Sequence, residues 1–221
     1  MPEFAEDAEV THDAKRRVRR ELLARRRALT EAERDSAAAG IQDELTALVR
    51  RLRPDRVAAY VPVASEPGGA QLPEVLADAL PTGAQLLLPV LRRDLDLDWA
   101  TWAGPQALVA PGRGIREPNT PRLGLTAIST ADLVVVPALA VDRRGIRLGR
   151  GGGSYDRALA RVSATALTVA PLHDGELLDT LPAEDHDRPV RAVVTPSGGL
   201  LRLDTPSGVV PHTCAGRTGG R

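Results

Sequence analysis

Aromatic side chains are almost absent from this chain: two Trp, two Tyr and one Phe among 221 residues. A core must then be built from Ala, Val and Leu, and a nucleic-acid surface that stacks bases on rings is excluded for want of rings. Cysteine is scarcer still. Cys214 alone excludes an intramolecular disulfide and any multi-cysteine metal centre. No apolar run approaches the ~20 residues that cross a bilayer, so no membrane partner is expected. The opening MPEFAEDAEV lacks the basic-then-apolar order of a secretory signal, which makes the expected location cytoplasmic. Net charge is missing too. The 29 basic residues balance 29 acidic ones, removing any global pull toward nucleic acid or anionic lipid.

What is present is an ordinary globular composition, 43% hydrophobic and 26% charged, in a length that favours one domain. The pattern divides it into an acidic, disordered arm (1–13), a single α/β domain (14–204) and a disordered tail (205–221). Charge is uneven locally: eight basic residues and one acid lie between Lys15 and Arg27. Two helices are expected from Ala14 to Arg53, the second capped by Thr30 with Glu33 completing a capping box. Apolar runs at 57–63, 85–90, 133–137, 165–169 and 192–195 read as strands, 72–80 and 155–162 as helices, and 104–125 as loop. Leu95, Leu97 and Trp99 alternate with polar residues, predicting a half-exposed strand near a sheet edge. The fold class expected is α/β, a three-layer αβα arrangement with a mostly parallel central sheet behind an N-terminal helical segment.

The chemistry concentrates at one loop. Leu133–Pro137 leads through Asp142 to Gly149, Gly151, Gly152 and Gly153, with Arg147, Arg150 and Arg157 around them and a helix after. Glycines let backbone N–H groups approach an anion, and a following helix start adds its positive end. Gly152 is expected at positive φ in close contact with a phosphate, so that valine there would abolish activity. The order of residues is neither a Walker A loop nor a dinucleotide fingerprint. Lys15 and Arg19, four residues apart on one helix face, repel each other unless a polyanion lies between them. Lys15 is read as exposed, and Arg16, Arg20, Arg25 and Arg26 as a solvated basic face. Asp142 reads as a structural turn residue.

Val136-Pro137-x-Leu139-Ala140-x-Asp142, followed by Gly145-x-Arg147-Leu148-Gly149-x-Gly151-x-Gly153-x-Tyr155-Asp156, is similar to the signature of the 5-formyltetrahydrofolate cyclo-ligase family. Lys15, Val18 and Arg19 resemble its opening Lys-x-x-Leu-Arg, and Tyr60-Val61-Pro62 with Glu66 its Tyr-x-Pro-x-x-x-Glu. Glu117-Pro118 resembles its Glu-Pro, and Leu181-Pro182-x-Glu184-x-His186-Asp187 its closing motif. The resemblance implies ATP- and Mg²⁺-dependent cyclisation of 5-formyltetrahydrofolate to 5,10-methenyltetrahydrofolate, the alternative being a non-catalytic folate- or nucleotide-binding relative. It implies ATP contacts at Lys15, Arg19, Arg147, Leu148, Gly149, Arg150, Gly151, Gly152, Gly153, Ser154 and Tyr155. Folate contacts are implied at Arg19, Val61, Glu66 and Arg150 to Ser154.

Arg150 and Tyr155 are the implied catalytic groups, Tyr155 suiting either a site wall or a core tyrosine. Asp156 and Asp187 resemble Mg²⁺ ligands, against the plainer readings of a helix N-terminal acid and a turn Asp. As ligands they would repel across an empty site. Ser154 replaces a Tyr common in the family, and the family's Gln near the last strand is replaced within 171–176, where Asp174 and Glu176 stand as substitutes. His186 is read as a structural hydrogen-bonding residue. The partner is a small folate, with no nucleic acid and a monomer expected.

Overall fold

The computed structural model describes residues 3–112, 115–184 and 187–203. The expected tail, Cys214 and His186 lie outside the described residues. Helix α1 (Glu3–Ala28) and helix α2 (Glu31–Leu52) open the chain. The arm expected over 1–13 is therefore helical from Glu3. No Gly or Pro interrupts Glu3–Ala28, and acidic sequence is favourable at a helix N-terminus. Thr30 caps α2 as expected: its hydroxyl accepts the Glu33 N–H at 3.2 Å, and the Glu33 carboxylate accepts the Thr30 N–H at 2.7 Å.

The α/β part follows as β1 (Arg56–Ala58), α3 (Leu72–Ala79), β2 (Gln85–Leu91), β3 (Leu97–Thr101), β4 (Leu108–Gly112) and β5 (Ile115–Pro118). Then come β6 (Leu133–Val135), β7 (Ala140–Asp142), β8 (Arg147–Leu148), α4 (Ser154–Leu159) and β9 (Leu167–Pro171). Last are β10 (Leu177–Leu178), β11 (Ala192–Thr195) and β12 (Gly199–Arg202). The main sheet runs β12-β11-β9-β6-β1-β2-β3. Its five inner strands are parallel, and the edges β3 and β12 are antiparallel.

Alternate residues of the inner strands serve opposite faces. Val57, Leu133, Val135, Val169 and Val194 pack under α2 and α3, against Ile41, Leu45, Leu72 and Leu76. Ala58, Val134, Val136, Ala170 and Val193 face Trp99, Ile128, Ala158 and Leu159. The second face is thus covered by the short α4 and a 3-10 turn at Leu125–Thr130 rather than by long helices.

Three expectations change. The strand expected over 57–63 ends at Ala58, after which the Tyr60 hydroxyl donates to the Pro67 carbonyl at 2.6 Å and closes a loop. Strand β3 lies at the sheet edge but is buried, because the chain at Arg122 and Leu123 pairs along it. The stretch expected as loop contains the antiparallel hairpin β4–β5.

A second, three-stranded sheet, β10-β7-β8, was not legible in the sequence. Helix α1 packs on it through Leu22, which meets Leu139, Ala140, Leu148 and Leu181. Lys15, Arg19, Leu22 and Arg26 follow a four-three-four spacing, so they form one stripe of α1. That stripe is the buried one. Lys15 is 5% exposed and Arg26 1%, whereas Arg16, Arg20 and Arg25 are exposed as expected. The solvated reading of Arg26 is corrected by its partners. Glu176 grips Nε and Nη2 at 2.6 and 2.7 Å, and the Ala138 carbonyl accepts from Nη2 at 2.6 Å.

Asp96, just before β3, binds Arg161 beyond α4 through two parallel bonds of 2.9 and 2.6 Å. The Arg161 guanidinium, with help from the Leu97 N–H, holds the Asp96 carboxyl below its ordinary range. A depressed carboxyl stabilises the fold fully above its unfolded pKa of about 3.9, and this contribution disappears as pH falls through the lower folded value. Asp96→Asn is expected to cost about 1–2 kcal/mol at pH 7, a charged hydrogen bond discounted for partial exposure. Urea titrations of both proteins at pH 7 and near pH 3 check it. The gap should shrink at the lower pH, and an equal gap at both would remove Asp96 from the acid limb.

Candidate active site

The strand order reverses between β1 and β6: β2 lies beyond β1 on one side, and β6, β9 and β11 continue on the other. Ligands of open parallel sheets bind at such a point, beyond the carboxyl ends of the strands. A cavity of about 580 Å³ opens there. Tyr60, Val61 and Glu66 after β1, and Pro137 to Leu139 after β6, line it.

Every residue implied as a contact borders this cavity. Lys15 and Arg19 come from α1, Arg147 and Leu148 from β8, and Gly149, Arg150, Gly151, Gly152 and Gly153 from the loop that follows. Ser154, Tyr155 and Asp156 form the first turn of α4, and Asp187 lies in the approach to β11. Helix α4 has six residues rather than the eight expected, so its dipole is small.

Opposite charges are already matched across the site. Lys15 Nζ donates to Glu184 Oε2 at 2.6 Å and to Asp187 Oδ2 at 2.7 Å, and the Glu184 N–H reaches the same Asp187 oxygen at 2.8 Å. Arg147 Nη2 holds Asp156 Oδ1 at 2.9 Å, its Nη1 reaches the Pro137 carbonyl at 3.3 Å, and its Nε is buried without a partner among the described residues. The guanidinium lies 5.8 Å from the centre of the Tyr155 ring, within cation–π range. Arg150 Nε meets Glu66 Oε1 at 3.0 Å while the Val63 N–H donates to Oε2 at 2.9 Å. Arg19 Nε donates to the Gly149 carbonyl at 2.9 Å. Two expectations fall here. Lys15 is buried rather than exposed, and Asp156 and Asp187 each face a cation rather than an uncompensated carboxylate.

Burial, with the Glu66 charge adding to it, pushes the Tyr155 phenol above its ordinary value. At neutral pH it is a hydrogen-bond donor, not a base. Tyr60 moves the same way, mainly through burial. Asp142 is the structural turn residue expected: fully buried, it accepts the N–H groups of Arg144, Ile146 and Leu181. Neither substitute for the missing Gln borders the cavity. Glu176 is committed to Arg26, and Asp174 accepts the Ser197 hydroxyl at 2.8 Å.

Sequence reasoning passed over Arg26, Tyr60, Arg116, Glu117 and Glu184 as lining residues. The α1 stripe was the available signal for Arg26. Glu117 accepts the Leu91 N–H at 2.9 Å, tying the β4–β5 hairpin to the cavity rim.

Among the loop glycines, Gly151 (φ +102°) and Gly153 (φ +66°) hold the left-handed backbone, not Gly152. A Cβ on Gly152 would meet only the Ser154 hydroxyl, at 3.5 Å. Gly151→Ala is therefore expected to lower stability by about 1–3 kcal/mol through backbone strain, and Gly152→Ala to leave it unchanged. Thermal melts of the ligand-free proteins check this, and equal midpoints would show that the loop relaxes freely.

Residues 11–196 match the model of the 5-formyltetrahydrofolate cyclo-ligase family. The 5-formyltetrahydrofolate cyclo-ligase of Mycolicibacterium smegmatis is 45% identical over 195 residues, covering 86% of this chain and 97% of its own. The solution structure of Aquifex aeolicus 5,10-methenyltetrahydrofolate synthetase superposes with a TM-score of 0.68 at 26% identity, covering 91% of this chain and 99% of the other. The synthetase from Mycoplasma pneumoniae, at 18% identity and a TM-score of 0.65, covers 82% and 98% and shares the fold. With its signature residues gathered around one cavity, the chain belongs to the 5-formyltetrahydrofolate cyclo-ligase family.

Proposed function

We propose that the protein converts 5-formyltetrahydrofolate and ATP to 5,10-methenyltetrahydrofolate, ADP and phosphate, with Mg²⁺ required. The observation that carries this reading is convergence. Lys15, Arg19 and Arg147 share one cavity with Asp156 and Asp187 and with Val61 and Glu66. Polyphosphate suits the cationic side, and the N–H groups of a pterin suit the Glu66 carboxylate.

In the reaction the formyl oxygen attacks the γ-phosphorus and ADP leaves. N10 then attacks the formyl carbon and loses its proton. The carbon–oxygen bond breaks, and phosphate departs with the former formyl oxygen. The protein's task is to position the reactants and offset charge, since no protein nucleophile is needed. Lys15 and Arg147 reach the phosphates by releasing their carboxylate partners, and the orphaned Arg147 Nε supplies a further donor. Arg150, half exposed and paired with Glu66, spans the nucleotide and folate sides and is suited to the oxygen in transfer. Tyr155, kept protonated, donates a hydrogen bond there without accepting a proton.

Among the described residues no group of three or more His, Cys, Asp or Glu is placed to hold a metal by itself. Two carboxylates fit Mg²⁺ when nucleotide and water oxygens complete the octahedron. Bound through Asp156 and Asp187, Mg²⁺ would neutralise charge on the transferring phosphoryl group.

The direct test incubates purified protein with 5-formyltetrahydrofolate and Mg-ATP and follows the near-ultraviolet absorbance of the methenyl product. Product should form only with all three present. ATP hydrolysis without methenyl product would overturn the reading.

Asp156→Asn and Asp187→Asn are each expected to lower turnover by roughly two orders of magnitude or more and to raise the Mg²⁺ requirement. Because each carboxylate holds a cation, ligand-free stability should fall, by about 1–3 kcal/mol, rather than rise. Mg²⁺ titrations of activity and melts without nucleotide check both parts. Full turnover at an unchanged Mg²⁺ requirement in either variant removes that residue from the metal site.

A further inference from the structure

Arg26 is buried, lines the cavity and has no part in the signature motifs. Its Nε and Nη2 are engaged by Glu176 and the Ala138 carbonyl, while Nη1 is buried with no partner among the described residues. An orphaned guanidinium N–H in an interior is uncommon and calls for an explanation. Arg147 is its counterpart. The two guanidiniums hang from the consecutive carbonyls of Pro137 and Ala138, just past β6, and each keeps one unpartnered nitrogen.

The two differ in charge balance and in neighbours. Glu176 grips Arg26 with both oxygens, so the pair is neutral as a unit and suits a neutral acceptor better than a phosphate. Arg26 lines the cavity together with Tyr60 and Glu66. The same corner is braced by the His173 N–H, which donates to Glu176 at 2.8 Å, and by the contact of the His173 ring with the Ser65 carbonyl at 3.0 Å. Glu66, the next residue, is thereby linked to the Arg26 partner.

We propose that Arg26 Nη1 donates a hydrogen bond to the 4-oxo group of the pterin ring, beside a Glu66 that accepts from the neighbouring ring N–H, so that the two residues read the lactam edge as acceptor and donor. This rests on the folate reading above and extends it to a specificity-determining residue. The pterin is the end of a folate that enters a cavity, since the glutamate tail is anionic and belongs in solvent. A lactam presents a carbonyl and an N–H side by side, which a donor at Arg26 and an acceptor at Glu66, lining one cavity, would match.

The test compares equilibrium binding of 5-formyltetrahydrofolate with that of its 4-amino-4-deoxy analogue, without nucleotide. Replacing the carbonyl by an amino group sets donor against donor. The wild-type protein should prefer the parent by roughly 10- to 140-fold, the equivalent of about 1.5–3 kcal/mol for a charged hydrogen bond. Arg26→Lys keeps a cation for Glu176 but cannot supply both sets of bonds. Its preference should fall below about threefold, with KM for the folate rising more than kcat falls.

Should Arg26→Lys not fold, Glu176→Gln serves instead. There the guanidinium charge is uncompensated, its bond to the carbonyl strengthens, and the preference should widen. Equal affinity of wild type for the two compounds, or a preference unchanged in the folded variant, overturns the proposal. Failure of the wild type to bind the folate or form methenyl product instead overturns the functional reading beneath it.

Discussion

A helix whose buried stripe is cationic governs this structure. Apolar stripes dock wherever apolar surface is available, but Lys15 and Arg26 can be buried, and Arg19 half-buried, only where oxygens meet them. Those oxygens are Glu184 and Asp187 for Lys15, the Gly149 carbonyl for Arg19, and Glu176 with the Ala138 carbonyl for Arg26. They come from four separate stretches of chain, all near the reversal point of the main sheet. Docking α1 therefore fixes the glycine-rich loop, Glu184 and Asp187, Glu176 and the chain just past β6 relative to one another. Leu22 supplies the apolar contact in the middle of the stripe, and the flanking charges set the register.

The parts of the fold legible in the sequence were those with an apolar signature. Leu133 to Val135, Gln85 to Leu91 and Ala192 to Thr195 are runs buried on both faces, and α2 carries Ile41, Leu45, Leu48 and Val49 at helical spacing. The small sheet and the buried face of α1 escaped for the opposite reason. Strands β8 and β10 have two residues each, too short to show a period, and the α1 stripe looks solvated because its residues are basic. Trp99 misled similarly. Alternation with Asp96 and Asp98 suggested one wet face, but both carboxylates are buried and bonded, Asp96 to Arg161 and Asp98 to the N–H groups of Trp99 and Gly124.

The candidate site was legible further than the fold because its residues are bound to local motifs whose chemistry does not depend on the sheet around them. Glycines between arginines announce an anion loop wherever they fold. Pairing between distant residues was not legible. Lys15 and Asp187 are 172 positions apart, and nothing local to either names the other. Resemblance supplied a ligand role for each but not their mutual contact, and so the ligand-free state of the site was misjudged.

That contact changes how binding must work. If phosphates met bare arginines, affinity would come from raw charge, and the empty site would carry repulsion as a standing destabilisation. Here Lys15, Arg19, Arg147 and Arg150 each hold a carboxylate or a carbonyl, so on the proposed function a ligand would exchange partners at these bonds and meet open donors only at nitrogens such as Arg147 Nε and Arg26 Nη1. The net gain is smaller than a naked ion pair would give, because each bond formed replaces one broken. In return the side chains are held near their working positions before the ligand arrives, and little ordering remains to be done on binding. A divalent cation fits the same logic. On the proposed function, phosphate that took Lys15 and Arg147 would draw them from Asp187 and Asp156 and leave those carboxylates to a divalent cation, so nucleotide and metal would favour each other's binding.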